Sequence, residues 1–212
     1  MEEKSTNNYN SIAHVYHFLS HLIFGKALLN AQFIHLNKLP KEGKVLFVGG
    51  GSGLCLKRVV EIRPNLNVIY LDQSAKMIEL SKEKIKYLDH KVKFIVGNER
   101  NLPAGNYDAI ITFFFLDVFN LRNLYYWFYY LHHSLVPDGI WLFADFNLPK
   151  NSFQKGLEKL MFTFLKLSTN IEAKKIYNFQ SIFLSNQYNE ESRKSFNQSF
   201  VYSSVFRKKK VE

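Results

Sequence analysis

The sequence contains a single cysteine, Cys55, and lacks any apolar run long enough to cross a bilayer. One cysteine cannot form a disulfide within the chain, which excludes a disulfide framework and suits a reducing compartment. We interpret Cys55 as a small packing residue. The longest apolar stretch, around residues 110–116, is far shorter than the ~20 residues of a transmembrane helix. The first residues lack the basic start and apolar run of a signal peptide, so we expect a cytoplasmic protein without a transmembrane segment.

Acidic residues are also few, because 18 Asp and Glu stand against 28 Lys and Arg and leave a formal net charge of +10. Residues 146–212 hold twelve of the cations and five Glu, so this last third carries +7. Such an excess attracts nucleic acid, an anionic membrane surface or an acidic substrate, and it also suits a solvated lysine-rich surface. No RNA-binding appendage is recognisable. We do not expect nucleic acid as a partner, and transient contact with a membrane surface stays open.

The most informative feature is a bare turn after an apolar run. Residues 45–48 are typical of a buried strand, and Gly49, Gly50, Gly51 and Gly53 follow directly. These glycines permit positive φ and let a ligand lie against the backbone. Apolar residues between positions 54 and 62 predict a helix whose first amides face the turn. Strand, bare turn and helix together are typical of the nucleotide-binding edge of a parallel α/β sheet.

A carboxylate at the end of the next predicted strand supports this interpretation. Residues 67–71 are mostly apolar and run into Asp72, nineteen residues after Gly53. A carboxylate at the tip of the second strand can accept hydrogen bonds from both hydroxyls of a ribose. The alternative is that Asp72 only caps the helix predicted to start near Ser74, but capping alone would not require the glycine turn.

The spacing of the glycines separates two classes of cofactor. Dinucleotide dehydrogenases favour G-x-G-x-x-G, whereas this chain has G-x-G-x-G over residues 49–53. That pattern resembles motif I of the class I S-adenosylmethionine-dependent methyltransferases. Four further segments resemble later motifs of this family, in the same order along the chain: residues 70–77, 92–103, 107–116 and 135–143.

The resemblance implies S-adenosyl-L-methionine as cofactor and implies which residues bind it. Asp72 would bind the ribose, and Asn98 lies in the segment that resembles the adenine-contacting loop, where the family often has Asp. Phe47 stands where many members carry an acid two residues before the first glycine. The candidate cofactor-binding residues are Gly49, Gly50, Gly51, Gly53, Asp72, Gln73, Met77, Asn98, Glu99, Phe113 and Tyr16.

The segment before the first predicted strand also resembles a family pattern. Residues 9–17 are similar to the Y-D-x-x-A-x-x-Y-D pattern of the ubiquinone and menaquinone biosynthesis methyltransferases, with both tyrosines kept. The resemblance implies a helical lid in which Tyr16 contacts the cofactor; the alternative is a tyrosine packed on the core. His14, His17 and His21 share one helix face, but no Cys or carboxylate completes a metal site, so we expect no metal. His17 is a candidate for removing a proton from the acceptor.

Helical spacing predicts helices over residues 11–23 and 28–39, and an apolar run predicts a strand over residues 140–146. Between these segments, helical and strand spacing alternate, which implies parallel strands joined by right-handed crossovers. Residues 192–196 and 200–207 predict a terminal strand pair, and residues 153–166 predict a long amphipathic helix. With the resemblance, this predicts an α/β fold: a Rossmann-like, doubly wound, mostly parallel seven-stranded sheet with an antiparallel C-terminal strand and helices on both faces. We expect one domain with a helical lid (1–40), a cofactor-binding core (41–146) and a C-terminal helix with terminal strands (147–212).

Methyl transfer from a sulfonium cofactor is an in-line displacement, so the protein must place the acceptor and exclude water. Asp117, just past the fourth predicted strand, could orient the acceptor, act as a base or cap a helix. Aromatic residues, including 113–115 and Phe119, dominate that side of the sheet. We predict a methyltransferase for a small apolar or aromatic acceptor. The alternatives are an RNA methyltransferase, prompted by the basic last third, and a non-catalytic S-adenosylmethionine-binding protein, prompted by Phe47.

Overall fold

The computed structural model describes residues 25–88, 91–103, 105–168 and 171–210. The strands are β1 Gly43–Val48, β2 Leu66–Asp72, β3 Lys91–Val96, β4 Tyr107–Phe113, β5 Leu135–Phe146, β6 Tyr188–Phe196 and β7 Val201–Lys208. The α-helices are α1 Ala27–Phe33, α2 Leu54–Ile62, α3 Ala75–Ile85, α4 Leu121–Ser134, α5 Ser152–Ser168 and α6 Phe179–Ser185. Short 3₁₀ helices cover Leu36–Lys38, Glu99–Asn101 and Leu116–Val118.

The strands form one sheet in the order β3-β2-β1-β4-β5-β7-β6. Neighbouring strands from β3 to β5 are parallel, whereas β7 runs antiparallel to both β5 and β6. Val45 of β1 pairs with Val68 of β2 on one side and with Ala109 of β4 on the other. The predicted fold is therefore confirmed. Sheets of this kind bind ligands beyond the carboxyl ends of the strands where the strand order reverses, which here is between β1 and β4.

Burial explains why the central strands are continuous apolar runs. Residues 45–48 of β1 and 109–113 of β4 are all buried, as expected for parallel strands that are covered on both faces. The edge strand β3 has a different pattern, because exposed Lys91 and Lys93 alternate with half-buried Val92 and Phe94. This period of two shows that one face of β3 is solvated.

Aromatic residues fill the core around β5, β7 and α6. Phe183 of α6 stacks on Phe206 of β7 with ring centroids 3.9 Å apart, and it meets Trp141 of β5 edge-on at 4.9 Å. No helix is predicted over α6 from the sequence. The sequence does contain a short helical pattern there, because the buried Phe179 and Phe183 have helical spacing and Asn178 caps the first turn.

Some boundaries differ from those predicted. β5 begins at Leu135 instead of residue 140, because the residues between form an irregular part of the strand in which Asp138 has a φ of +66°. The helix predicted over residues 28–39 is divided into α1 and the 3₁₀ helix Leu36–Lys38. The helix predicted over residues 11–23 lies outside the described residues. None of the described helices is long and apolar enough to cross a membrane.

Candidate active site

A cleft of about 590 Å³ opens beyond the carboxyl ends of β1 and β4. The strands contribute aromatic side chains, the turn after β1 contributes bare backbone, and α1 contributes a side wall. Among the described residues, neither Asp72 nor any other acid lines the cleft, and Lys26 is the lining cation. The lining residues are Gly25, Lys26, Leu28, Leu29, Gln32, Phe47, Gly49, Gly50, Gly51, Ser52, Leu54, Cys55, Phe113 and Phe114.

The glycine turn, residues 49–53, presents one position that protein packing does not fill. Gly51 has a φ of +61°, in the left-handed region that favours glycine. A Cβ built on Gly51 would meet no atom within 4 Å, whereas one on Gly49 would lie 2.5 Å from the ring of Phe115. Gly51 lines the cleft, so the room left by its missing side chain is room for a ligand.

Asp72, the last residue of β2, is joined directly to this turn. The Gly51 N–H donates to Asp72 Oδ2 at 3.0 Å, and the Ser74 N–H donates to Oδ1 at 2.9 Å. Partial burial raises the pKa of Asp72, and the two backbone hydrogen bonds act in the opposite direction. Each carboxylate oxygen keeps a second lone pair, so Asp72 can still accept hydrogen bonds from two hydroxyl groups.

Tyr70 and Ser81 hold the opposite side of the turn and are not predicted from the sequence. The Tyr70 hydroxyl donates to the Gly51 carbonyl oxygen at 3.0 Å, and Ser81 Oγ lies 2.9 Å from the same oxygen. A Cβ on Gly50 would lie 2.3 Å from the Tyr70 ring, and one on Gly53 would lie 2.6 Å from the Ser81 Cα. These residues are 19 and 30 positions from Gly51, so no local pattern could reveal them.

Part of the chain is similar to known proteins. Residues 45–139 match the family model described as a methyltransferase domain. These residues, just under half of the chain, form a methyltransferase domain. A carboxy-S-adenosyl-L-methionine synthase from Nautilia profundicola is 27% identical over 139 residues, which are 65% of this chain and 58% of that protein. A malonyl-[acyl-carrier protein] O-methyltransferase from Ilyobacter polytropus is 33% identical over 106 residues, which are 48% of this chain and 39% of that protein.

The methyltransferase fold extends over nearly the whole chain. An O-methyltransferase family protein from Burkholderia thailandensis superposes with a TM-score of 0.70 over 99% of this chain and 62% of its own, at 15% identity. The chain spans only about half the length of these two relatives, from Nautilia profundicola and Ilyobacter polytropus. S-adenosylmethionine is the cofactor of this family. The residues present fit it, because Gly51 leaves open space in the cleft and Asp72, which is bonded to Gly51 but does not itself line the cleft, has acceptor capacity for a ribose.

Two further candidate cofactor residues of the methyltransferase domain follow β2. Gln73 is exposed immediately after Asp72. Met77 is half-buried in the first turn of α3, where its N–H donates to Ser74 Oγ at 3.3 Å and completes the helix cap. Both side chains therefore stand at the edge of the sheet that carries the glycine turn.

The candidate adenine loop follows β3, the neighbour of β2. Asn98 Oδ1 accepts a hydrogen bond from the Arg100 N–H at 3.1 Å, which fixes the start of the loop. Glu99 is the first residue of the 3₁₀ helix Glu99–Asn101. The Gly97 N–H donates to the Asp72 carbonyl at 3.0 Å. This bond ties the loop to the end of β2, so Asn98 and Asp72 belong to one edge.

The cleft of the methyltransferase domain is apolar where many family members carry an acid. Phe47 is buried and meets Tyr70 and Phe113 edge-on, with ring centroids 5.1 and 5.9 Å apart. The wall formed by α1 supplies the polar side chains Lys26 and Gln32. The sequence predicts a helical lid over residues 1–40 but not which of its side chains line the cleft, because helical spacing shows which residues share a face but not what the face meets.

Asp117 lies in the 3₁₀ helix Leu116–Val118, is 4% exposed and does not line the cleft. Within the described chain, Asp117 Oδ1 and Asp145 Oδ2 accept no hydrogen bond. Burial raises the pKa of Asp117 to about 7. Burial, and repulsion by Asp117, raise the pKa of Asp145 well above its usual range. Burial therefore favours the protonated form of both carboxyl groups in this buried acid pair.

The candidate residues of the lid lie outside the described residues. These are Tyr16, His17 and the other two histidines of the same segment, His14 and His21. Within the described ranges, no group of three or more His, Cys, Asp or Glu is placed to hold a metal ion.

Proposed function

We propose that this protein is a cytoplasmic S-adenosylmethionine-dependent methyltransferase that acts on a small apolar or aromatic acceptor. One observation carries the proposal: the Gly51 N–H donates to Asp72 at 3.0 Å beside open space in the cleft. The bare backbone at Gly51 lines the cleft, and Asp72, which is bonded to that backbone, keeps free lone pairs for the same ligand. This is the arrangement that binds a nucleoside at the end of two neighbouring parallel strands.

The cofactor, when bound, supplies a methyl group activated by a sulfonium centre. Asp72 would accept hydrogen bonds from the two ribose hydroxyls, and its two backbone hydrogen bonds hold the carboxylate in place for that task. Asn98 would accept a hydrogen bond from the adenine amine. Gln73, Met77 and Glu99 would complete the nucleoside site, with Tyr16 as a further candidate contact.

An apolar acceptor is supported by the walls of the cleft. Phe47, Phe113, Phe114, Leu28 and Leu29 line it, whereas no described acid does. An apolar acceptor buries its surface against these side chains and displaces water, which favours binding and leaves the reacting atoms dry. Lys26 lies in the same lining set and provides a cation for one polar or anionic group of the acceptor.

An acceptor that loses a proton during attack needs a base, and we propose His17 or Asp117 for that role. The raised pKa of Asp117, about 7, suits a base at neutral pH. Its burial requires the Leu116–Val118 turn to move before Asp117 touches an acceptor. If the Asp117→Asn variant keeps full turnover, His17 is left as the candidate base.

The binding site is tested by calorimetry with S-adenosylhomocysteine. Asp72→Ala removes the acceptor of two charge-assisted hydrogen bonds, each of about 1.5–3 kcal/mol, so the affinity should fall at least about a hundredfold. Asp138→Ala is the control, because Asp138 is an exposed aspartate at the start of β5. Unchanged affinity in the Asp72 variant would refute the site.

The acceptor class is tested with a labelled methyl group on the cofactor. Label should enter the lipophilic fraction of a cell extract and not its RNA or its polar metabolites. Label in RNA would favour the second candidate function, RNA methylation, which the exposed Lys155, Lys159 and Lys166 of α5 support. Tight cofactor binding without transfer to any fraction would favour the third, a non-catalytic binding protein, which Phe47 in place of an acid supports.

A further inference from the structure

The Gly51 residue is held on both sides by one strand. Asp72 binds its N–H at 3.0 Å, and Tyr70 binds its carbonyl oxygen at 3.0 Å. Tyr70 and Asp72 are two positions apart on β2, and side chains two apart point to the same face of a strand. The same stretch of β2 therefore fixes both polar groups of the residue that borders the cleft.

The number of available protons indicates that Tyr70, more than Ser81, is the hydrogen-bond donor to the Gly51 carbonyl. Ser81 Oγ lies within hydrogen-bond distance of three acceptors, the Gly51 carbonyl, the Met77 carbonyl and the Tyr70 hydroxyl, and it has one proton to donate. Tyr70 also has one proton, and its bond at 3.0 Å goes to Gly51. Burial raises the pKa of Tyr70, so its hydroxyl stays protonated and remains a donor.

The packing of the turn leads to the same residues. The Tyr70 ring lies where a Cβ on Gly50 would be, at 2.3 Å, and the Ser81 backbone lies where a Cβ on Gly53 would be, at 2.6 Å. Glycines at these two positions let Tyr70 and Ser81 approach the turn closely. Gly51 alone among the four turn glycines faces open space.

We propose that Tyr70 is a positioning residue for the cofactor site. Its hydroxyl holds the Gly51 carbonyl and so fixes the backbone of Gly51, whose N–H in turn holds the carboxylate of Asp72. This inference rests on the proposed function. Ser81 is the second member of the contact and shares its proton among three acceptors. Cofactor binding then meets an Asp72 that is already oriented, which saves the entropy of ordering it during binding.

Tyr70→Phe tests the proposal, because it removes the hydroxyl and keeps the ring that packs on Gly50. One buried hydrogen bond contributes about 0.5–1.5 kcal/mol, so the dissociation constant for S-adenosylhomocysteine should rise up to about tenfold. Hydrogen exchange of the Gly51 amide, measured by NMR in the free protein, should become faster. Ser81→Ala should give the same changes at smaller size, because the Tyr70 bond remains.

Tyr188→Phe is the matched control. Tyr188 is as buried as Tyr70, and its hydroxyl lies 3.2 Å from His132 Nδ1 on the far part of the sheet. The control should lower the melting temperature without changing affinity or Gly51 exchange. If Tyr70→Phe and Tyr188→Phe affect affinity equally, or if neither readout changes in Tyr70→Phe, the positioning role is wrong. Failure of the unmodified protein to bind S-adenosylhomocysteine would refute the proposed function instead, and Gly51 exchange in the free protein would still decide the role of Tyr70.

Discussion

The buried acid pair, Asp117 and Asp145, makes stability depend on pH in a direction opposite to that of most carboxylates. The pKa of Asp117 rises from 3.8 to about 7 because the folded chain excludes water from it. The folded protein therefore keeps a proton that the unfolded chain releases above pH 3.8. The free energy of unfolding should fall as the pH rises through this window and should stay low above pH 7.

The size of the effect follows from the shift. About three pKa units at 1.36 kcal/mol each correspond to about 4 kcal/mol over the whole window. About two of the three units lie above pH 5, so unfolding at pH 8 should need about 3 kcal/mol less than at pH 5. Asp117→Asn cannot ionise, and its amide can donate to Asp145 Oδ2, which accepts no hydrogen bond from the described chain.

Urea unfolding followed by circular dichroism at pH 5 and pH 8 measures this difference. The Asp117→Asn variant should be more stable than the unmodified protein at pH 8 and should lose less stability between the two values. Glu79→Gln provides the comparison, because it makes the same chemical change on a side chain that is 69% exposed. Equal pH dependence in the unmodified protein and in Asp117→Asn would show that Asp117 does not bind the extra proton.

Two further changes test the packing of the turn and of the aromatic core. In Gly53→Ala, the new Cβ would lie 2.6 Å from the Ser81 Cα on a backbone with a φ of +78°, so the free energy of unfolding in urea should fall by more than about 2 kcal/mol. Gly156→Ala is the control: position 156 lies in open space on α5, so this change should stabilise the protein by about 0.5–1 kcal/mol. A Gly53 variant as stable as the unmodified protein would refute the tight packing of the turn. Phe183→Ala should lower the free energy of unfolding by about 3–5 kcal/mol, because the ring is fully buried. Leu184→Ala should lower it far less, because the Leu184 side chain is 50% exposed. Similar losses of stability at both positions would contradict the packing of α6.

Local patterns predict the fold and the main ligand-binding edge. The apolar run of β1, the glycines after it and Asp72 at the end of β2 are contiguous signals, and parallel pairing brings them together without further information. The residues near the C-terminus likewise predict the strand pair, although only β6 has exposed positions and β7 is almost wholly buried. The fold is confirmed, and the roles of the site residues remain predictions.

Contacts between distant segments could not be predicted in the same way. Ser81 contacts Gly51 from 30 positions away along the chain. Asp145 lies within an apolar strand, and nothing in its local sequence indicates that the fold places it beside Asp117. Likewise, the α1 wall of the cleft depends on which face of a helix meets the sheet. Such features arise from tertiary packing, so each is specified by the whole sheet rather than by a pattern of neighbours.

The position of β7 has a consequence for synthesis of the protein. β7 follows β6 along the chain but is inserted between β5 and β6 in the sheet. On the ribosome, β6 therefore leaves the exit tunnel before β7, the strand that pairs it with the rest of the sheet. Until β7 emerges, one edge of β5 has no partner strand. Translation must pass residue 208 before that edge is covered, so the aromatic cluster under α6 closes late, while the glycine turn can already form.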